Sequence, residues 1–187
     1  NCRKIRHYWK RTGHSLRSNL FIIKMKKINL LISTFFANGY ISKIPGTFTS
    51  LSTTIILYVF FEILQFKNLN YILILYSIIF FYSFYAVMDS ETEFENKDPR
   101  QIVIDEVLGQ AMPLILIVYL SSKNLINIPV EIYYFLSFIL FRFFDIVKPF
   151  PVSYFDKQHK NFFGIIMDDI MAGLYTMIII YLISLKF

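Results

Sequence analysis

The residues best suited to chemistry are paired acids set in otherwise apolar sequence. Asp168-Asp169 follows Gly-Ile-Ile-Met and precedes Ile-Met-Ala-Gly-Leu, and Asp105-Glu106 follows Ile-Val-Ile and precedes Val-Leu-Gly. Charged carboxylates are seldom kept among apolar residues unless they meet a partner. A helix start would account for one Asp through capping and the helix dipole, but it does not need two. Neighbouring helical positions point about 100° apart. One acid of each pair can therefore face a shared centre while the other faces a second ligand or a cation. Together with Asp145, these acids form the oxygen-rich set that Mg²⁺ prefers, completed by water and a substrate phosphate.

Cations accompany them. In Arg142-Phe-Phe-Asp145-Ile-Val-Lys148-Pro149 the spacing of three puts Arg142, Asp145 and Lys148 on one helix face, and Pro149 ends that helix just after Lys148. Read structurally, this is an ion-paired face. Read functionally, Arg142 and Lys148 form a phosphate clamp, one as a planar fork and the other as a point charge. Pro45-Gly46-Thr47 reads as a Pro-Gly turn leading into a helix start that Thr47, Thr49 or Ser50 would cap. Free N–H groups at such a start also bind phosphate. Three phosphatase designs are missing from the sequence: a Cys-x₅-Arg loop, an Asp-x-Asp-x-Thr/Val pattern, and any constellation of His7, His14 and His159. Metal-activated water is the simple nucleophile that remains for phosphate chemistry.

The elements that must position these groups are greasy. The 187 residues are 56% hydrophobic with mean hydropathy +0.51, above the ~45–50% apolar share of a soluble domain. Five apolar segments, 51–66, 70–88, 108–121, 130–147 and 165–185, are apolar around most of their circumference and read as helices. Tyr71–Phe84 is rich in strand-forming types but far too long for a strand. Segments 70–88 and 165–185 reach the roughly 20 residues that a bilayer needs, whereas 51–66 and 108–121 look short for it. The expected fold is an all-α multihelical bundle integral to the membrane. If 51–66 with 70–88 and 108–121 with 130–147 form two hairpins, the polar islands at 39–50, 98–109, 142–149 and 164–173 gather on one side. Most basic residues gather there too, which places that side in the cytoplasm.

Nine of the 19 Lys and Arg lie within residues 1–27, and no acid precedes Glu62. Apolar segments follow this head directly, so retention on an anionic membrane face is a better reading than nucleic-acid binding. Met25-Lys26-Lys27 reads as a natural start. Residues 1–27 are accordingly expected to be a poorly ordered basic extension, and 28–187 the helical domain. The lone cysteine, Cys2, sits in that head and offers no disulfide framework or thiol metal site.

Taken together, the islands resemble the phosphatidylglycerophosphatase A family. The matching residues are Pro45-Gly46-Thr47, Asp98-Pro99, Val103-Ile104-Asp105-Glu106 and Gly109, Phe141 to Ile146 with Lys148-Pro149-Phe150-Pro151, Gly164-Ile165, Asp168-Asp169 and Ala172-Gly173. The resemblance implies an all-helical fold, Mg²⁺ dependence, and hydrolysis of phosphatidylglycerophosphate to phosphatidylglycerol and phosphate in a bacterial inner membrane. On this reading Asp105, Glu106, Asp168 and Asp169 hold the metal with Asp145 assisting, while Arg142, Lys148 and the 45–47 turn bind the phosphate. The chain departs from the family's tendency to glycine at Ala37-Asn38, Thr49 and Asn161-Phe162-Phe163, so loop geometry there is expected to differ. A small membrane cation carrier using the same carboxylates is the alternative. Carrier sites lie near the bilayer midplane, whereas these motifs sit near helix ends.

Overall fold

The computed structural model describes residues 23–41, 43–90, 100–150, 152–154 and 162–186. The basic head up to residue 22, Asp98-Pro99, Pro151, Lys157, His159 and Lys160 lie outside the described residues.

Among the described residues every regular element is a helix. Helix α1 covers 23–33 and α2 Asn38–Ile41. Helix α3 runs Pro45–Tyr58 and continues through a π-helical stretch, Val59–Ile63. There follow α4 (Leu69–Ser90), α5 (Ile104–Ser122), α6 (Val130–Val147) and α7 (Phe162–Lys186). Four stretches are long and apolar enough to cross a membrane: Pro45–Ile63, Leu69–Ser90, Ile104–Ser122 and Phe163–Lys186. This corrects the reading of 51–66 and 108–121 as short. Each helix begins several residues before its apolar run and reaches 19 residues. Helix α6 has 18 residues but carries Glu131, Arg142 and Asp145.

Burial separates the centre of the bundle from its rim. Of the apolar window of α5, 67% is buried, against 22% for α4. Helix α5 is thus the axis. It packs most extensively on α7, and also on α3, α6 and α4. One core cluster joins Leu108 and Ile104 of α5 to Ile165, Ile166 and Ile170 of α7 and Val87 of α4. A second joins Leu114, Ile117 and Leu120 to Tyr133, Tyr134 and Ile180. The outward faces carry Ile74, Ile78, Phe81, Ile178 and Leu182 largely uncovered. That suits a hydrocarbon solvent, in which apolar side chains are not penalised.

Polar ties hold α1 against the bundle. Asn29 is fully buried; its Nδ2 donates to Asp89 Oδ2 at 2.7 Å, and Tyr82 Oη donates to its Oδ1 at 2.7 Å. The Ser33 and Ser90 hydroxyls pair at 3.0 Å. Val103 N, just ahead of α5, donates to Ser33 O at 2.9 Å. The turn after α1 therefore fixes where α5 begins. That turn is left-handed over three successive non-glycine residues, Phe35, Phe36 and Ala37, with φ of 44°, 54° and 68°. Ala37 falls where the resemblance leads one to expect glycine. A β-carbon in this region costs about 1–2 kcal/mol, partly offset by the greater unfolded-state freedom of glycine. Ala37→Gly is expected to stabilise the protein by about 0.5–1 kcal/mol, read as a rise in Tm. A lower Tm would show that the turn is not strained.

Candidate active site

Four elements bring the chemical residues together. Val103 is the N-cap of α5, so Asp105 and Glu106 occupy its first turn, near the positive end of the helix dipole. Asp168 and Asp169 lie beyond the helix start, which removes the capping alternative. Helix α7 begins at Phe162, which puts them in its second turn, where capping cannot explain either. Arg142 and Asp145 lie on the last turns of α6. Lys148 is its C-cap, in a left-handed conformation with φ of 47°. The 45–47 segment also differs from expectation. Pro45 is the first residue of α3 and Gly46 lies within its first turn, so Pro-Gly is not a separate turn. The N-cap is Ile44, with no side-chain cap, and neither Thr47, Thr49 nor Ser50 plays that part. Proline suits a first helical position because its missing N–H would be unpaired there anyway.

The closest grouping is Asp105, Glu106 and Asp169, which offer oxygen atoms all within 4.8 Å of one another. Asp105 and Asp169 are buried and Glu106 half-buried. Asp169 also lies in the field of Asp145 and Asp168. Asp168 points elsewhere: its Oδ2 takes Lys148 Nζ at 2.7 Å and its Oδ1 accepts from Asp169 N at 3.0 Å. Arg142 Nη1 pairs with Asp145 Oδ2 at 2.8 Å. The expected single face of Arg142, Asp145 and Lys148 is thus split. Lys148 leaves the helix through its left-handed cap and reaches across to α7.

A β-carbon on Gly46 would displace the Glu106 carboxylate and press on Arg142 Nη1. The role of Gly46 here is close approach to the cluster. Thr47 sits beside it, half-buried.

Acids outnumber cations among the described residues of the cluster. Among the described residues five carboxylates, Asp105, Glu106, Asp145, Asp168 and Asp169, share the cluster with two cations, Arg142 and Lys148. Asp105 Oδ1, Glu106 Oε2 and Arg142 Nε are buried and find no hydrogen-bond partner among the described residues. Unpaired buried ionic atoms cost several kcal/mol each. The donor set is all oxygen, with no sulfur or imidazole, which suits a hard divalent cation. The residues present therefore fit Mg²⁺.

A family model for phosphatidylglycerophosphatase A matches residues 31–184, most of the chain. The chain belongs to the phosphatidylglycerophosphatase A family. It is 34% identical to the phosphatidylglycerophosphatase A of Haemophilus influenzae over 165 residues, covering 86% of this chain and 94% of that protein. A Bacteroides thetaiotaomicron protein, provisionally named a phosphatidylinositol-3-phosphatase, is 31% identical over 81% of this chain and 90% of its own length. The phosphatidylglycerophosphatase A of Escherichia coli is 26% identical over 87% of both chains. No solved structure matches. Membership of the phosphatidylglycerophosphatase A family makes the chain a phosphatase, and the acidic cluster lies inside the matched region.

Two features of this phosphatidylglycerophosphatase A family member escaped the reading of individual motifs. One is the crossing of α5 and α7. A β-carbon on Gly109 would stand 2.5 Å from Asp169 O, and one on Gly173 would stand 2.5 Å from Gly109 O. Each glycine follows its acid by four residues, Asp105 to Gly109 and Asp169 to Gly173. Acid and glycine thus share a helix face, and the glycines let the backbones meet so that the acids can. Pro113 lies four residues after Gly109 and lacks the N–H that would bond the Gly109 carbonyl, so this oxygen is free to face Gly173. The repeated spacing was a signal available in the sequence. The other feature is Ser50, whose hydroxyl meets Arg142 Nη1 at 3.3 Å.

Proposed function

We propose that this cluster is the catalytic centre of a Mg²⁺-dependent phosphatase acting on phosphatidylglycerophosphate, releasing phosphatidylglycerol and inorganic phosphate. The observation that carries the reading is the coincidence, among the described residues, of an excess of carboxylates with unpartnered buried atoms of both signs, on Asp105, Glu106 and Arg142. The carboxylate oxygens call for a cation and the guanidinium for an anion. A divalent ion with a bound phosphomonoester supplies both.

In this reading Asp105, Glu106 and Asp169 hold the ion. When bound, Mg²⁺ polarises a phosphoryl oxygen and lowers the pKa of a water molecule. Arg142 and Lys148 neutralise the phosphate oxygens. Asp145 orients Arg142, Asp168 anchors Lys148, and Gly46 allows the start of α3 to close against the cluster. Hydrolysis adds water across the phosphoester bond, and the alcohol oxygen leaves with a proton. The cluster sits in the first turn of α5, the second of α7 and the end of α6, so it lies near helix ends, as a lipid headgroup requires and a midplane carrier site does not. Its place is the cytoplasmic side of the inner membrane, in keeping with the concentration of basic residues near the motifs.

Phosphate release should be measured from phosphatidylglycerophosphate, phosphatidylinositol 3-phosphate and a sugar phosphate, with Mg²⁺ and with EDTA. Turnover is expected to be fastest on phosphatidylglycerophosphate and to vanish with the chelator. Chelator-resistant activity removes the metal from the mechanism. Equal rates on the sugar phosphate remove lipid specificity.

A further inference from the structure

We propose that Ser50 is a positioning residue that orients the Arg142 guanidinium so that its Nε–H is kept for the substrate phosphate. This rests on the reading of the cluster as a phosphoester site.

Ser50 is fully buried on α3, one turn beyond Gly46. Its Oγ donates to Gly46 O at 2.8 Å. A hydroxyl has one proton, so towards Arg142 Nη1, at 3.3 Å, the oxygen acts as acceptor. Nη1 also forms an ion pair with Asp145 Oδ2 at 2.8 Å. One nitrogen is thereby held from two helices, by a hydrogen bond to α3 and an ion pair within α6. A guanidinium is planar and rigid, and two tethers on one nitrogen orient it. The opposite edge, Nε–H with Nη2–H, is one of the pairs that form a two-pronged bond to phosphate. Among the described residues Nε has no hydrogen-bond partner.

Without the Ser50 hydroxyl, Asp145 alone holds Nη1. The guanidinium is then free to rotate into an end-on pair with Asp145, which withdraws the Nε–H. The same hydroxyl ties Arg142 to Gly46, whose α-carbon abuts Glu106. One side chain thus registers the phosphate-binding arginine against the carboxylate cluster.

The test is a double-mutant cycle on the full chain: wild type, Ser50→Ala, Arg142→Lys and the double variant. It reads kcat and KM on phosphatidylglycerophosphate with Mg²⁺, and the inhibition constant of inorganic phosphate. The hydroxyl's bond is to a charged group, so Ser50→Ala should lower kcat/KM about tenfold or more. The loss should fall mainly on KM, with a parallel rise in the phosphate inhibition constant. Lysine has no planar fork, so in the Arg142→Lys background the serine substitution should cost less than twofold. An equal loss in both backgrounds would make Ser50 merely structural and overturn the proposal, as would wild-type kinetics for Ser50→Ala. No phosphate release by the wild type from any lipid phosphate would instead defeat the reading of the site itself, and this inference with it.

Discussion

Asp169→Asn is expected to abolish phosphate release, by on the order of a thousandfold, while leaving the metal-free protein as stable as before or more so. The two expectations have one cause. Asp169 is 3% exposed and lies among four other carboxylates, which among the described residues outnumber the nearby cations Arg142 and Lys148. Neutralising it relieves repulsion of roughly 1–3 kcal/mol at an effective dielectric of about 20, which appears as a Tm several degrees higher in EDTA. Mg²⁺ should raise the Tm of the wild type, because a ligand bound only by the folded state stabilises it. The variant should lose most of that response. Undiminished turnover would exclude Asp169 from the site. Loss of activity with a lower Tm in EDTA would mean that the carboxylate is a structural element and not a ligand.

Gly109→Ala should produce the largest loss of stability, about 3 kcal/mol or more, with activity lost alongside. The added carbon would stand 2.5 Å from Asp169 O and 2.7 Å from the Phe141 ring. The first of these is backbone, which cannot rotate away, and overpacking of this kind costs about 1–3 kcal/mol even where side chains can adjust. Helices α5 and α7 must separate, which also parts Asp105 and Glu106 from Asp169. Gly173→Ala should behave alike, since its β-carbon would meet Gly109 O at 2.5 Å. Thermal unfolding and phosphate release measured on the same preparations check both. A variant with normal Tm and activity would show that the helices do not need this closeness. Against Asp169→Asn the contrast is diagnostic: one substitution removes function and preserves the fold, the other removes both.

These expectations differ in how much of them could be read from the chain. The helical class was legible because apolar runs such as 70–88 are too long to be strands and apolar on all sides. The acids were legible because an ionised group among isoleucines and valines is costly unless something meets it. Helix limits were less so. Apolar runs mark the greasy part of a helix, whereas α3, α5 and α7 begin ahead of theirs, at Pro45, Ile104 and Phe162. The capping roles considered for Thr47, Thr49 and Ser50 failed for the same reason, since the helix had already begun at Pro45.

By itself, the sequence determined which residue types are present for phosphate and metal chemistry, and on which helices they stand. Composition and period decide those points locally. Only the tertiary structure decided who meets whom. Asp169, not Asp168, joins Asp105 and Glu106. Lys148 crosses to Asp168 and does not stay with Asp145, and Ser50 holds Arg142. Adjacent acids are equivalent in a sequence and point about 100° apart on a helix. Which of them turns inward depends on how deeply α5 and α7 sink together at Gly109 and Gly173, a property of two distant segments at once.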